Sequence, residues 1–83
     1  MKLTKHTKFR EEKFGGVLFE TRSEKVFTLN PTGAAVVREI GTGCDERGIV
    51  ERLKTRFHDH HRLIENEALA FIAALRQQGL VED

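Results

Sequence analysis

The chain has 83 residues, of which 39% are hydrophobic and 33% are charged, and this length supports one domain with one core. Its 14 basic and 13 acidic residues leave a net charge of +1, so no overall field attracts the chain to nucleic acid or to anionic lipid. A single cysteine cannot form an internal disulfide, and no apolar run is long enough for a signal peptide or a membrane span. We therefore expect a cytoplasmic protein with no membrane partner. The predicted domain covers residues 1–83, with residues 1–7 as a flexible basic arm.

Three short strands are predicted ahead of the first helix. Residues 9–12 have strand potential, and residues 17–19 form an apolar strand that follows the pair Gly15-Gly16. That pair predicts a turn or bulge, because glycine adopts positive φ without a steric penalty. The third strand is Lys25–Leu29, and the polar residues 21–24 predict a hairpin between it and the second strand.

Three helices are predicted to follow the strands. Asn30-Pro31 is typical of a helix start, since Asn caps free N–H groups and Pro suits the first helical position, so the first helix covers residues 31–40. The second helix begins at Cys44 or Asp45. The third ends at Gly79, after which Leu80-Val81 returns to the core. Apolar residues recur at helical spacing in the last two helices: Ile49, Leu53 and Phe57, then Ile64, Ala68, Phe71, Ile72 and Leu75.

These elements together predict an α+β fold, in which a small three-stranded antiparallel sheet is followed by a three-helix bundle. Such an arrangement is winged helix-turn-helix-like. The winged-helix interpretation raises DNA binding or dimerisation as an alternative function. Glu65 and Glu67 oppose DNA binding, because they would place negative charge near phosphates at the start of the third helix, where a DNA reader needs cations.

No catalytic group or metal site is predicted. His58, His60 and His61 lie close together and Cys44 offers a thiol, but adjacent histidines do not have the spacing of zinc ligands. The histidines are better explained as a solvated loop between helices. No serine-histidine-aspartate arrangement and no phosphate-binding glycine loop is present, so we expect a protein without cofactor or enzymatic activity.

The strand Lys25–Leu29 is the candidate binding element. It is the last strand before the helices and has one obvious neighbour in the sequence, so its other edge is free to accept a strand from a partner peptide or from a second copy of the chain. Apolar residues are also expected on both faces of the sheet. The helices can cover only one face, so another element or a partner must cover the second face. We group Val17, Phe19, Phe27 and Leu29 on one face, with Leu18 and Val26 on the other.

One flank of the third helix is the candidate wall beside this strand. Leu69 and Ala73 would let an extended peptide lie close, and Arg76 would meet an acidic group. The alternative is that Leu69 and Val26 complete the core, and the pattern alone does not decide between the two.

Several segments resemble the PqqD family across nearly the whole chain. These are LNPTGAA at residues 29–35, the helix end at Gly41-Thr42, AFIAAL at 70–75 and GLV at 79–81. Residues 10–16, REEKFGG, are similar to the opening of PqqD-like chaperones that are encoded beside radical SAM enzymes.

The resemblance implies a recognition element for ribosomally made, post-translationally modified peptides. Such a domain binds the leader of a precursor peptide by strand addition and presents it to a modifying enzyme, often a radical SAM protein. Carried over to this chain, the implied contacts are to Lys25, Val26, Phe27, Thr28 and Leu29 of the strand and to Leu69, Ala73 and Arg76 of the third helix.

Overall fold

The computed structural model describes residues 1–57 and 63–83, and within them the chain forms five strands and three helices. The predicted α+β order of an antiparallel sheet followed by helices is confirmed. Two short strands at the ends of the chain were not predicted. The elements are β1 (Lys2–Leu3), β2 (Thr7–Glu12), β3 (Gly15–Glu20), β4 (Lys25–Leu29), α1 (Pro31–Gly41), α2 (Glu46–Phe57), α3 (Leu63–Gln77) and β5 (Val81–Glu82).

The sheet consists of β2, β3 and β4 in that order, with antiparallel neighbours. Leu18 pairs with Phe27, and Phe19 pairs with Val26. Directly opposed residues share a face, so the predicted grouping of these side chains is wrong. Leu18, Phe27 and Leu29 face the helices, whereas Val17, Phe19 and Val26 lie on the opposite face, where Val17 is buried and Val26 is 59% exposed.

Gly15 does not form the predicted turn. The turn lies at residues 13–14, and Gly15 is already the first residue of β3, with a φ of 145°. A Cβ at this position would lie 2.2 Å from the carbonyl oxygen of Leu29 and 2.6 Å from the carbonyl carbon of Asn30. Glycine is required here because β3 passes so close to the junction between β4 and α1.

Residues 1–7, predicted as a flexible basic arm, contain β1 and the first residue of β2. Lys2 and Leu3 pair with Glu82 and Val81 of β5, and the Thr4 N–H donates to the carbonyl of Leu80 at 3.1 Å. The apolar residues of this segment, Met1 and Leu3, pack against the core cluster. Lys2 and Lys5 of this segment are therefore exposed on the surface of the domain.

The helix ends follow the predicted capping chemistry. The Gly33 N–H donates to Asn30 Oδ1 at 2.8 Å at the start of α1, and the Gly48 N–H donates to Asp45 Oδ1 at 2.8 Å at the start of α2. Gly79 adopts a φ of 72° beyond α3. In the part of the chain that the structure describes, no helix has the length and apolar character to cross a bilayer.

The core lies where α1, α2 and α3 meet the inner face of the sheet. The return of the C-terminal segment onto this core is confirmed, since Leu80 is 2% exposed. The fully buried side chains include Leu18, Val36, Val37, Ile40, Ile49, Leu53, Ile72 and Leu80.

The turn between β3 and β4 depends on the carboxylate of Glu20. It accepts a hydrogen bond from the Ser23 hydroxyl, a second from the Ser23 N–H at 2.7 Å and a third from the Arg22 N–H at 3.1 Å. These bonds, led by the Ser23 hydroxyl, outweigh the opposing effect of burial and lower the pKa of Glu20 from 4.5 to about 2. The ionised carboxylate thus holds the turn from which β4 begins.

We expect this turn to make the fold acid-sensitive. Because the pKa of Glu20 is lower in the folded chain than in the unfolded chain, its contribution to stability is complete above pH 4.5 and is lost as the pH falls toward about 2. In Glu20→Gln, urea unfolding should show a smaller loss of stability across this interval. The control Glu24→Gln, in the same turn, should retain the full acid dependence. An unchanged pH profile in Glu20→Gln would contradict the role of this carboxylate.

Candidate functional site

The outer edge of β4 is open. β3 pairs with one side of β4, and no other strand in residues 1–57 or 63–83 pairs with the opposite side. Along an edge strand, alternate residues direct both their N–H and their C=O outward, and these groups can hydrogen-bond an added strand. Lys25, Val26 and Thr28 are exposed, Phe27 is half-buried and Leu29 is buried. The five strand residues predicted from the sequence therefore do form a free edge.

Helix α3 runs beside this edge in the opposite direction to β4. At the end of β4, Asn30 Nδ2 donates to Glu67 Oε1 at 3.0 Å, which ties the junction between β4 and α1 to the first half of α3. Toward the other end, Gln78 lines the same cavity as Phe27. The helix therefore lies alongside the strand and forms a wall beside it.

A small apolar cavity lies between β4 and α3. Its volume is about 60 Å³. We call the space between the open edge of β4 and helix α3 the groove. Phe71, Ala74 and Gln78 line it on the α3 side, and the cavity forms its floor. The cavity is lined by Leu18, Phe27, Leu29, Phe71, Ala74, Leu75, Gln78 and Leu80.

The α3 residues predicted from the sequence are not on this wall. Leu69 lines a separate hollow between α2 and α3 together with Val50, and Arg76 Nη1 lies 3.5 Å from Glu46 Oε1 of α2. Ala73 is exposed and is turned from Ala74 by about 100° around the helix axis. The predicted placement of these three residues beside β4 is therefore wrong, because their flank of α3 faces α2 or solvent.

Other reactive groups do not assemble into a site in the described structure. Cys44 Sγ lies 3.3 Å from Thr42 Oγ1 and donates to Glu39 Oε2 at 3.8 Å. Among the residues that the structure describes, no group of three or more His, Cys, Asp or Glu side chains could hold a metal ion. The histidines considered above, at residues 58, 60 and 61, lie outside the described residues.

Comparison with known proteins adds a family and a fold. The family model described as coenzyme PQQ synthesis protein D (PqqD) matches residues 15–81. The structure of TbiB1 in complex with the TbiA(beta) leader peptide matches with a TM-score of 0.85 at 20% identity, covering 99% of this chain and 95% of that chain. Lasso peptide synthetase B1 complexed with the leader peptide matches with a TM-score of 0.80 at 21% identity, covering 99% and 96%. No curated protein sequence matches the chain.

Proposed function

Because the chain belongs to the PqqD family, we propose that it binds the leader segment of a ribosomally made precursor peptide and presents that peptide to a modifying enzyme. The observation that carries the proposal is the open edge of β4 beside an apolar cavity under α3. An extended peptide that pairs with β4 would place every second side chain toward the helix. The two similar solved structures, each with a bound leader peptide, support the same use of this fold.

Main-chain hydrogen bonds would supply a sequence-independent part of the affinity. The five residues of β4 span about 17 Å, which sets the paired part of the leader at about five residues. Each added hydrogen bond contributes about 1 kcal/mol net. Burial of a leader side chain in the cavity would add about 2 kcal/mol, and this second contribution makes the groove selective.

The chemistry of modification belongs in this proposal to a partner enzyme. Residues 10–16 favour a radical SAM enzyme, as the resemblance to PqqD-like chaperones implies. The similarity to lasso peptide synthetase B1 favours a component of a lasso peptide synthetase. Affinity capture with each candidate enzyme, in the presence and absence of leader, distinguishes them: the true partner should be retained and the other should not.

Amide chemical-shift mapping with a candidate leader tests the binding site. Binding should shift the amides of Lys25–Leu29 and of the α3 residues near Phe71, Ala74 and Gln78, and should slow hydrogen exchange along β4. A leader with proline at alternate positions is the control, because it lacks the N–H donors that pair with the edge. Shifts confined to α2 would contradict strand addition at β4.

A DNA titration tests the alternative function. Random duplex at moderate salt should leave the β4 and α3 amides unshifted, since Glu67 places negative charge at the start of the groove. Tight binding to duplex DNA would favour the winged-helix alternative over the peptide proposal. The homodimer through the sheet edge is tested by the same spectra, because dilution of the free protein would then shift the β4 amides.

A further inference from the structure

The groove carries opposite charges at its two ends, and this polarity bears on which leaders it accepts. Lys25 begins β4, and Glu67 lies beside Asn30, just past the end of β4. The two residues mark ends that are about 15 Å apart, as judged from the length of the strand. The apolar cavity lies between them. A peptide in the groove therefore passes from one charge, over an apolar floor, to the other charge.

Lys25 is the cation available at the first end. It alternates with Phe27, so it shares the face of β4 that looks toward α3, and it is exposed. No ion pair of Lys25 occurs within residues 1–57 and 63–83. Glu20 lies directly opposite Lys25 in the sheet, but its oxygens accept from the Arg22 and Ser23 N–H groups and Arg22 Nε lies 3.6 Å from Glu20 Oε1, so this carboxylate is engaged within the turn. Glu24, in the same turn, is exposed. An acidic side chain of the peptide is therefore the complement at this end.

Glu67 is the anion at the second end. It lies one helical turn before Phe71, on the same side of α3, and it is exposed although one oxygen accepts from Asn30. Its second carboxylate oxygen can accept a hydrogen bond from a peptide cation. Glu65, by contrast, approaches Lys54 at 3.8 Å on the α2 side of the helix. The peptide complement at this end is a lysine or an arginine.

The direction of the added strand converts this polarity into an order of residues. Both described neighbours in the sheet pair in antiparallel fashion, and antiparallel pairing is slightly more stable per residue. An antiparallel leader runs from the Glu67 end to the Lys25 end. Its side chain opposite Phe27 enters the cavity, and the side chain two residues later lies opposite Lys25.

We propose that the groove selects leaders in which a basic, an aliphatic and an acidic side chain follow one another at alternate positions, in that order from the amino end. This inference rests on the proposed function and adds the chemical class of the leader. The cavity is lined mainly by apolar side chains, among them Leu18, Phe27 and Phe71, and this lining suits an aliphatic side chain. The two charges also select the direction of the bound leader. A leader bound in the reverse direction would place its basic residue beside Lys25 and its acidic residue beside Glu67.

Two synthetic peptides of identical composition test the inference. Each has about nine residues, centred on Lys-Thr-Val-Thr-Glu in the matched peptide and on Glu-Thr-Val-Thr-Lys in the swapped peptide. Titration followed by the β4 amides should give about fivefold to tenfold tighter binding of the matched peptide, because two exposed charge pairs change from attractive to repulsive. At about 1 M salt the difference should fall to within about twofold, since screening then acts over a few ångströms.

Charge reversal in the protein provides the second test. Lys25→Glu should remove or invert the preference for the matched peptide, whereas Lys5→Glu, an equal change of charge at an exposed residue outside the groove, should preserve it. Equal affinity of the two peptides, with shifts at β4, would overturn the charge inference and leave the proposed function in place. Tighter binding of the swapped peptide would also overturn the inference. Absence of β4 shifts with these peptides and with the candidate leader would instead overturn the proposed function.

Discussion

Replacement of Ala74 by Trp should weaken leader binding about tenfold to a hundredfold. Ala74 lines the cavity from the α3 side and is exposed in the free protein, so an indole at this position would occupy the space that an aliphatic leader side chain enters. The loss corresponds to the burial of one such side chain, about 1.5–3 kcal/mol. Titration calorimetry with the leader measures the loss, and urea unfolding checks that the variant remains folded.

Ala73→Trp is the matched control for this result. It introduces the same side chain on the same helix, at an exposed residue directed away from β4, and it should change leader affinity by less than about twofold. The pair separates the position predicted from the sequence from the position found in the structure. A larger loss in Ala73→Trp than in Ala74→Trp would return the binding wall to the flank of Leu69 and Arg76.

The strand beside the candidate groove was predictable because its signals are local. A polar turn, the apolar residues of Lys25–Leu29 and the pair Asn30-Pro31 fix where the strand begins and where the helix takes over, and all of them act within a few residues. The open edge followed from the order of the elements. Register within the sheet did not follow, because the pairing of Leu18 with Phe27 depends on the turn at residues 21–24, and the sequence does not fix its conformation.

The α3 residues expected beside β4 were placed on the wrong side of the helix, because the apolar stripe of a helix has a flank on each side. The core stripe of α3 is clear from Ala68, Ile72 and Leu75, but the sequence does not say which flank meets α2 and which meets β4. That choice is made by tertiary contacts, such as those of Arg76 with Glu46 and of Glu67 with Asn30. For the same reason the sequence did not reveal strand β1, because its pairing partner β5 is at the far end of the chain.

Gly15→Ala should destabilise the fold by about 3 kcal/mol, the largest effect expected among the glycine-to-alanine changes in this chain. Residue 15 has a φ of 145°, which strains any residue other than glycine. The added Cβ would also lie 2.2 Å from the Leu29 carbonyl oxygen, and this contact is with backbone atoms that cannot rotate away. Urea unfolding of Gly15→Ala measures the loss. The control is Gly41→Ala, where nothing lies within 4 Å of the new methyl group.

The same substitution tests whether β3 positions the groove. The clash is relieved if Leu29 and Asn30 move away from residue 15. Leu29 is the last residue of β4, and Asn30 donates to Glu67. Leader affinity should therefore fall even in conditions where Gly15→Ala is fully folded, whereas Gly41→Ala should bind normally. A variant that is destabilised but binds with unchanged affinity would mean that the end of β4 adjusts without altering the groove. Full stability of Gly15→Ala would contradict the close approach of β3 to the start of α1.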